Sequence, residues 1–408
     1  MNFFAPIQLT FGSYGHTLHH CQVVSPDNQW VVYDTRNEDT AIGTTTRIER
    51  VHLSTLETEV LYEVQNPNEF GPGVGAVTYA PHKEMVLFIH GLMNANEHKP
   101  YAMDRRSGVG IDLHNKNLPI HFDARKVSKP YIQGALRGGT HSHCWHSSGD
   151  LISFTYNDEV LSTERMVGVM FPKSVDVYPE DAENFSGTHY AAIVSQITSN
   201  AAPGSDEIEK AFDECWLGKS RILAFQGWVR DNAGNRQTEI FTIDLNDIEN
   251  YVDRFDEKSL SFGLLNPPQG IYQKRVTRTL KGVSSFRHWL RSSPDGLYVY
   301  FMMENEDDVR NIYRVQRFNE TVEQITFHEK SIDSPFNISS DGHRLVYFCD
   351  RSLIVYDMIK RSFKCLIADE IGLYGIPNFD QNDEFILFNQ YVHENLTSKF
   401  LQIFKIRL

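Results

Sequence analysis

Arg137-Gly138-Gly139-Thr140-His141-Ser142-His143, running on into His146-Ser147-Ser148-Gly149-Asp150, gathers an unusual density of polar and ionisable side chains. On a strand, alternation sets His141 and His143 on one face and Thr140 and Ser142 on the other. Two imidazoles so placed can hold a metal ion, or one neutral imidazole can accept a proton. His121, His189 and His288 lie on adjacent modules and could join them. A single histidine near a strand end is more often a hydrogen-bonded packing residue. His16, His19, His20, His52, His82, His98 and His393 are read that way. His288 with Cys349 offers nitrogen and sulfur to a structural divalent metal, zinc by ligand type, stapling two modules; the competing reading is packing. No other cofactor is expected.

The familiar catalytic signatures are missing from the sequence: no Walker loop, no GxGxxG opening a helix, no GxSxG elbow and no CxxC pair. The acidic pairs Asp206-Glu207 and Asp213-Glu214 are expected on a solvated helix over Glu207 to Trp216, capped by Asp206, which leaves a two-carboxylate glycosidase without support.

The elements that must position these groups repeat. Ser25-Pro26-Asp27-Asn28 is a turn feeding the strand Trp30-Val31-Val32-Tyr33-Asp34. Kindred units begin at Ala80, Ser147, Ser293, Ser340 and Asp380, and a strand pair, Ile222 to Trp228 with Glu239 to Ile243, fills the gap between the third and the next. Each is followed by further short strands, so the chain reads as seven four-stranded modules. Such repeats close radially to remove exposed sheet edges, which predicts an all-β, seven-bladed β-propeller over residues 1–408. The last module is short of strands, and Ile7 to Phe11 is expected to complete it. Irregular insertions near 94–125, carrying Tyr101, Arg105, Arg106, His114 and His121, and near 171–218 are where binding groups tend to sit.

Composition bounds the partners. Of 408 residues 41% are hydrophobic and 12% aromatic, enough for a strand-rich core, and the formal net charge is −14. That charge opposes binding to nucleic acid or an anionic membrane, and a polyanionic ligand would need a local basic cleft. The five scattered cysteines suit reduced thiols rather than a disulfide framework. Nothing reads as a membrane span, and a monomer is expected. The start lacks signal-peptide character, so the sequence leaves open a cytoplasmic protein or a periplasmic or secreted one whose leader was removed.

Leu136 to His143, Ser153 to Asp158, Pro203 to Ile208 and Arg287-His288-Trp289, with Phe70 to Gly75 and Phe88 to Gly91, together resemble a family of TolB-like seven-bladed propellers of unknown function. The same ring type is used by ulvan lyases and oligogalacturonate lyases. The ulvan lyases place two histidines on the channel, with a tyrosine and an arginine from following blades. That resemblance implies a polysaccharide lyase cleaving a uronic-acid polymer by β-elimination. It implies His121, His141 and Tyr190 as catalytic residues with Arg221, next in chain order, as the arginine and Arg137 or Arg287 as alternatives to it; Arg137, His143, His189 and Arg287 are expected around an anionic polysaccharide or oligosaccharide. Oligogalacturonate lyases gather histidines and a glutamine around manganese, and no matching Gln-x-x-His-x-His occurs here. The alternative is a non-catalytic propeller that binds a glycan or a protein.

Overall fold

The structure, a computed structural model, describes residues 5–408 except 116–117, 162–163, 253 and 255–264. Seven antiparallel sheets follow one another along the chain, each ordered from an inner to an outer strand. Blade 1 holds Trp30–Asp34, Arg47–His52 and Thr58–Glu63, and blade 2 holds Val74–Tyr79, Met85–Gly91, Arg106–Asp112 and Pro119–His121. Blade 3 holds Gly138–Trp145, Ile152–Asp158, Arg165–Val175 and Gly187–Ile193, and blade 4 Ala211–Trp216, Ile222–Arg230, Arg236–Asp244 and Gln273–Arg275. Blades 5 and 6 begin at Arg291–Ser292 and Asn337–Ile338. In blade 7, Leu373–Phe379, Phe385–His393 and Lys399–Arg407 are joined by Ile7–Gln8, whose partners are Lys405 and Phe404. The expected N-terminal closure of the ring is therefore present.

The repeated turn has a simple cause. The hydroxyl of Ser25 donates to Asp27 and accepts from the Trp30 amide, and Ser293 with Asp295 and Ser339 with Asp341 do the same in blades 5 and 6. The strands that follow are apolar throughout because each face meets a different neighbour. Val31 and Tyr33 pack towards blade 7, and Val32 between them packs towards blade 2. Leu345, Tyr347 and Cys349 face blade 5, and Val346 and Phe348 face blade 7. Seven apolar clusters among the described residues thus fill the seven junctions between blades.

Blade 1 departs from the pattern at its inner edge. Residues 17–24 pair with Trp30–Asp34 at the Thr17–Asp34 and Val24–Val31 bridges, and between these they bow out into the channel, where other blades bond to them. Five other blades bond to this plug. The Tyr79 amide donates to the Gln22 carbonyl at 2.8 Å, and the Gln22 side chain exchanges two hydrogen bonds with the Trp145 backbone, at 2.8 and 2.9 Å. Arg291 Nη2 and Asn337 Nδ2 both donate to the His20 carbonyl, at 2.8 and 3.1 Å, and Asn378 Nδ2 donates to the His19 carbonyl at 3.2 Å. A cavity of about 810 Å³ lies on the His19–His20 side, and a smaller one of about 640 Å³ on the Gln22–Val24 side.

One expected element is different. The stretch foreseen as a helix, Glu207 to Trp216, contains the inner strand of blade 4, and the one described α-helix is the short Ile248–Tyr251. Its acidic residues mimic a solvated helix face in sequence, yet Asp213 and Glu214 are buried. No helix among the described residues is long and apolar enough to cross a membrane.

Asn337 also accepts from Arg291 Nε at 2.5 Å and donates to the Pro377 carbonyl, so one side chain joins blades 5, 6 and 7 to the plug. Asn337→Ala strands these buried groups and should lower unfolding free energy by about 3 kcal/mol, read by urea denaturation.

Candidate functional site

The larger cavity draws its walls from the plug (His19, His20), the blade 2 insertion (Tyr101, Arg106), blade 3 (His141, Arg165) and blade 5 (Arg287, Trp289). The inner strands that frame it share an irregularity. Blades 2, 3 and 4 each slip register, between Gly75 and Thr78, His141 and Cys144, and Phe212 and Cys215. In each slip one non-glycine residue takes a left-handed backbone: Ala76 at φ 56°, Ser142 at 56° and Asp213 at 51°. Such bulges re-aim side chains and cluster near functional sites. In blade 3 the bulge breaks the alternation expected for His141 and His143. His141 faces the cavity. His143 turns into the junction with blade 2, against Gly108, where its Nε2 and Thr140 Oγ1 share a 3.0 Å hydrogen bond.

His141 is 3% exposed, and its Nε2 lies 3.3 Å from Arg165 Nη2, which donates to it. Burial, then the charges of Arg106, Arg165 and Arg287, hold its pKa well below the ordinary imidazole range, so the ring is neutral. Neither Arg106 nor Arg165 makes an ion pair with a described residue; Arg106 Nη1 donates to the Tyr101 hydroxyl at 2.8 Å. Arg106 Nε, Arg165 Nε and Trp289 Nε1 are buried donors without an acceptor, and His141 Nδ1 also has no partner. Arg287 is half-exposed, stacks over Trp289 and pairs with Asp39 at 2.9 Å. Behind this group stand the two blade 4 carboxyls. Glu214 accepts from Thr155 Oγ1 at 2.8 Å, and burial, the leading cause, lifts its pKa to about 8; burial raises that of Asp213 as well. Of the two, Asp213 acts on the Arg165 charge more strongly than Glu214 does.

Charge pairs order the insertion that brings in Tyr101 and Arg106. Arg105 bridges Glu183 at 3.0 Å and Glu159 at 3.2 Å and donates to Asn94 at 2.8 Å, while Lys99 reaches Glu183 at 2.9 Å. Arg125 contacts the same Glu159. These ties run between the insertion and the blade 3 loops, so the loop lies over the cavity rim on a fixed support.

Of the residues expected at the site, the structure brings His141 and Arg287 to one cavity and places the others elsewhere. His121 ends the outer strand of blade 2, exposed and tilted against the Phe185 ring. Tyr190 lies in the outer strand of blade 3, 3% exposed, stacked on Phe171 and donating its hydroxyl to the Val252 carbonyl at 3.0 Å. His189, beside it, stacks on Phe122. Arg221 is on the opposite face, paired with Asp150 and Glu249. Arg137 is buried against Asp158 and Tyr131 away from the cavity lining. The expected convergence of His121, His141, Tyr190 and Arg221 therefore does not occur: strand order puts the first and third on outer edges and the last at the far end of the ring. His288 spends both ring nitrogens on backbone, Nδ1 donating to the Phe286 carbonyl and Nε2 accepting from the Met302 amide. Cys349 packs in the blade 5–6 junction, its thiol near the Lys330 carbonyl, so the two form no metal site.

Sequence reading named Tyr101 and Arg106 only as members of an irregular insertion, and it missed Arg165 because the third strand of a blade reaches the channel only through a long side chain. The plug histidines, read as packing, line the cavity. His19, His20 and Cys21 bring one potential ligand atom each to within 4.8 Å of one another, a possible metal-binding group.

Comparison with known proteins agrees with this geometry at the level of fold. Residues 73–182 match the family model described as DUF3748, protein of unknown function. The chain is 33% identical over 361 residues to the uncharacterized protein YidR of Escherichia coli (strain K12), covering 85% of each. Among solved structures it resembles an oligogalacturonate lyase in complex with manganese, with a TM-score of 0.56 at 12% identity over 100% of this chain and 98% of that one. TolB from Acinetobacter baumannii is similar at a TM-score of 0.43 and 12% identity, over 93% of this chain and 80% of that one.

The buried carboxyl gives a signed pH dependence. Glu214 keeps its proton in the native state up to about 8, while the unfolded chain releases it near 4.5, so this group's contribution to stability is full below 4.5 and is lost as pH rises through 8. Glu214→Gln removes that loss. Its unfolding midpoint should climb relative to the parent protein between those pH values and level off above them, as seen by thermal melts across the range.

Proposed function

This chain belongs to the DUF3748 family, with YidR as a relative, and from there we propose that it is a lyase that opens uronic-acid-containing saccharides, ulvan-like or pectic, by β-elimination. The observation that carries the reading is the character of the cavity's unmet groups. Two guanidiniums without an ion pair to any described residue, Arg106 buried and Arg165 half-buried, each with an unmet Nε, and an unpaired indole N–H face one space in a protein of net charge −14. Unpaired buried charge is costly, so the natural occupant is an anion rich in acceptor atoms. The fold shared with an oligogalacturonate lyase is compatible with this reading without identifying the substrate.

β-Elimination needs the C5 carboxylate neutralised, the C5 proton removed and the leaving O4 protonated. Arg106 and Arg165, with Arg287 at the rim, take the first task. Neutral His141 takes the second, and the Tyr101 hydroxyl, which accepts from Arg106 and keeps its own proton for donation, takes the third. The carboxylate does more than bind. Burial, and then the three arginines, make His141 a weak base, and a bound carboxylate cancels part of the arginine field, raising the imidazole's proton affinity when substrate is in place. The plug floors the cavity, so a chain end or short oligosaccharide is the form that enters. The manganese of the related lyase has no counterpart in this scheme: the donor group His19, His20 and Cys21 includes a thiol and no oxygen, unlike a hard-cation site.

The test is a panel of ulvan, polygalacturonate and other uronate polymers with their oligosaccharides, followed by ultraviolet absorbance of the unsaturated product. His141→Ala and Arg165→Ala should each lower kcat/KM by on the order of 10²–10⁴-fold, while Tyr190→Phe should leave it near the parent value. New reducing ends without the chromophore would indicate a hydrolase. Tight oligosaccharide binding without cleavage would indicate a binding propeller.

A further inference from the structure

We propose that His19, His20, Cys21 and Cys144 form a zinc(II) site in the plug, at the floor of the cavity. The inference does not rest on the lyase reading. Three consecutive side chains cannot converge on a regular strand, where neighbours point to opposite faces. Here they do, because the plug is not a strand: Gln22 stands at φ 53° and the chain bends at His20 and Cys21. Blade 3 supplies the fourth donor. Cys144 Sγ lies 3.6 Å from Cys21 Sγ, and Cys21 Sγ lies 3.8 Å from His20 Nε2.

Two of these separations match edges of a tetrahedral ion; Cys144 is not within 4.8 Å of both imidazoles, so binding would draw it and the histidines closer. Zn–S bonds of about 2.3 Å and Zn–N bonds of about 2.0–2.1 Å give a sulfur–sulfur edge of about 3.8 Å and a sulfur–nitrogen edge of about 3.6 Å. His19 closes the set, its ligand atom within 4.8 Å of those of His20 and Cys21; the residue is 5% exposed and its Nδ1 has no partner.

The surroundings are those of a supported metal site. The reciprocal bonds between Gln22 and Trp145 lock the residues that directly follow the two cysteines. Trp216 Nε1 holds the Cys144 carbonyl at 3.0 Å. Arg291, buried and without a carboxylate partner among the described residues, donates to the His20 carbonyl and so fixes the backbone between the two plug histidines and Cys21. Two thiolates and two imidazoles around zinc make a neutral centre, which a buried floor tolerates. The sulfur-and-nitrogen set selects zinc over the oxygen-seeking manganese or magnesium.

Cobalt(II) reports such a site through thiolate-to-metal charge transfer. The full chain, reduced and freed of metal with a chelator, should bind one equivalent of cobalt(II) with a near-ultraviolet charge-transfer band and visible bands of tetrahedral intensity, and zinc(II) should bleach both. Cys21→Ser and Cys144→Ser should each reduce the charge-transfer band to roughly half, and the double variant should lose it, with folding checked by circular dichroism. Cys349→Ser should match the parent. A folded, reduced protein with no charge-transfer band, or a band that survives in the Cys21, Cys144 double variant, would overturn the assignment.

Discussion

The backbone of residues 19–22 is the point on which the ring depends. A seven-bladed ring leaves a channel along its axis, and the inner strands bordering it would offer polar groups to that gap. Here the gap is crossed by a segment whose carbonyls accept from Tyr79, Arg291, Asn337 and Asn378, and whose Gln22 side chain clamps Trp145. Because the bonds come from five separate blades, the plug fixes blade positions relative to one another in a way that the apolar junctions, each shared by two neighbours, do not. The same segment closes the cavity from below and sets His19 and His20 in its floor.

A floor built of backbone hydrogen bonds explains why the inner strands are irregular. A strand in register with its neighbour presents alternate side chains to the two adjoining blades and shows the axis little but its edge. The bulges at Ala76, Ser142 and Asp213 turn backbone and side chains towards the middle. At Ala76 the displaced amide is caught by Asp34 Oδ2 at 2.8 Å, and Asp34 is held in turn by Arg36, itself a cavity residue. In blade 3 the bulge separates two histidines that alternation would have paired, leaving His141 on the cavity wall and His143 as a strut between blades.

This marks what the sequence could and could not disclose. The Ser-x-Asp turns and continuous apolar strands are local signals, and they made the seven blades and the N-terminal closure legible. The site was legible only where it coincided with a local signal: His141 in its polar run, Arg287 near the start of a module, Tyr101 and Arg106 in an insertion that broke the repeat. Distance along the chain misled for His121 and Tyr190, because outer strands sit far from the axis however close they are in sequence to an inner one. Burial misled for Asp213 and Glu214, whose acidity resembles a solvated helix face unless Thr155 and Arg165 are known to lie against them.

The electrostatics of the cavity then follow from which charges the fold leaves unpaired. Near the rim, Arg105 and Arg125 meet Glu159 and Glu183, and their work is structural. On the cavity wall, Arg106 and Arg165 donate to a tyrosine and a neutral histidine, and burial pushes both blade 4 carboxyls that act on Arg165 towards their uncharged forms. A fold that only needed stability would gain by an ionised partner at that point, since burying one charge without its opposite costs more than burying the pair. Positive charge on the cavity wall is thus only partly offset, against the sign of the whole molecule. Burial first, and then this field, keep His141 neutral; in the elimination proposed above, an entering carboxylate would offset the arginine part of that effect and so tie proton transfer to occupancy of the cavity.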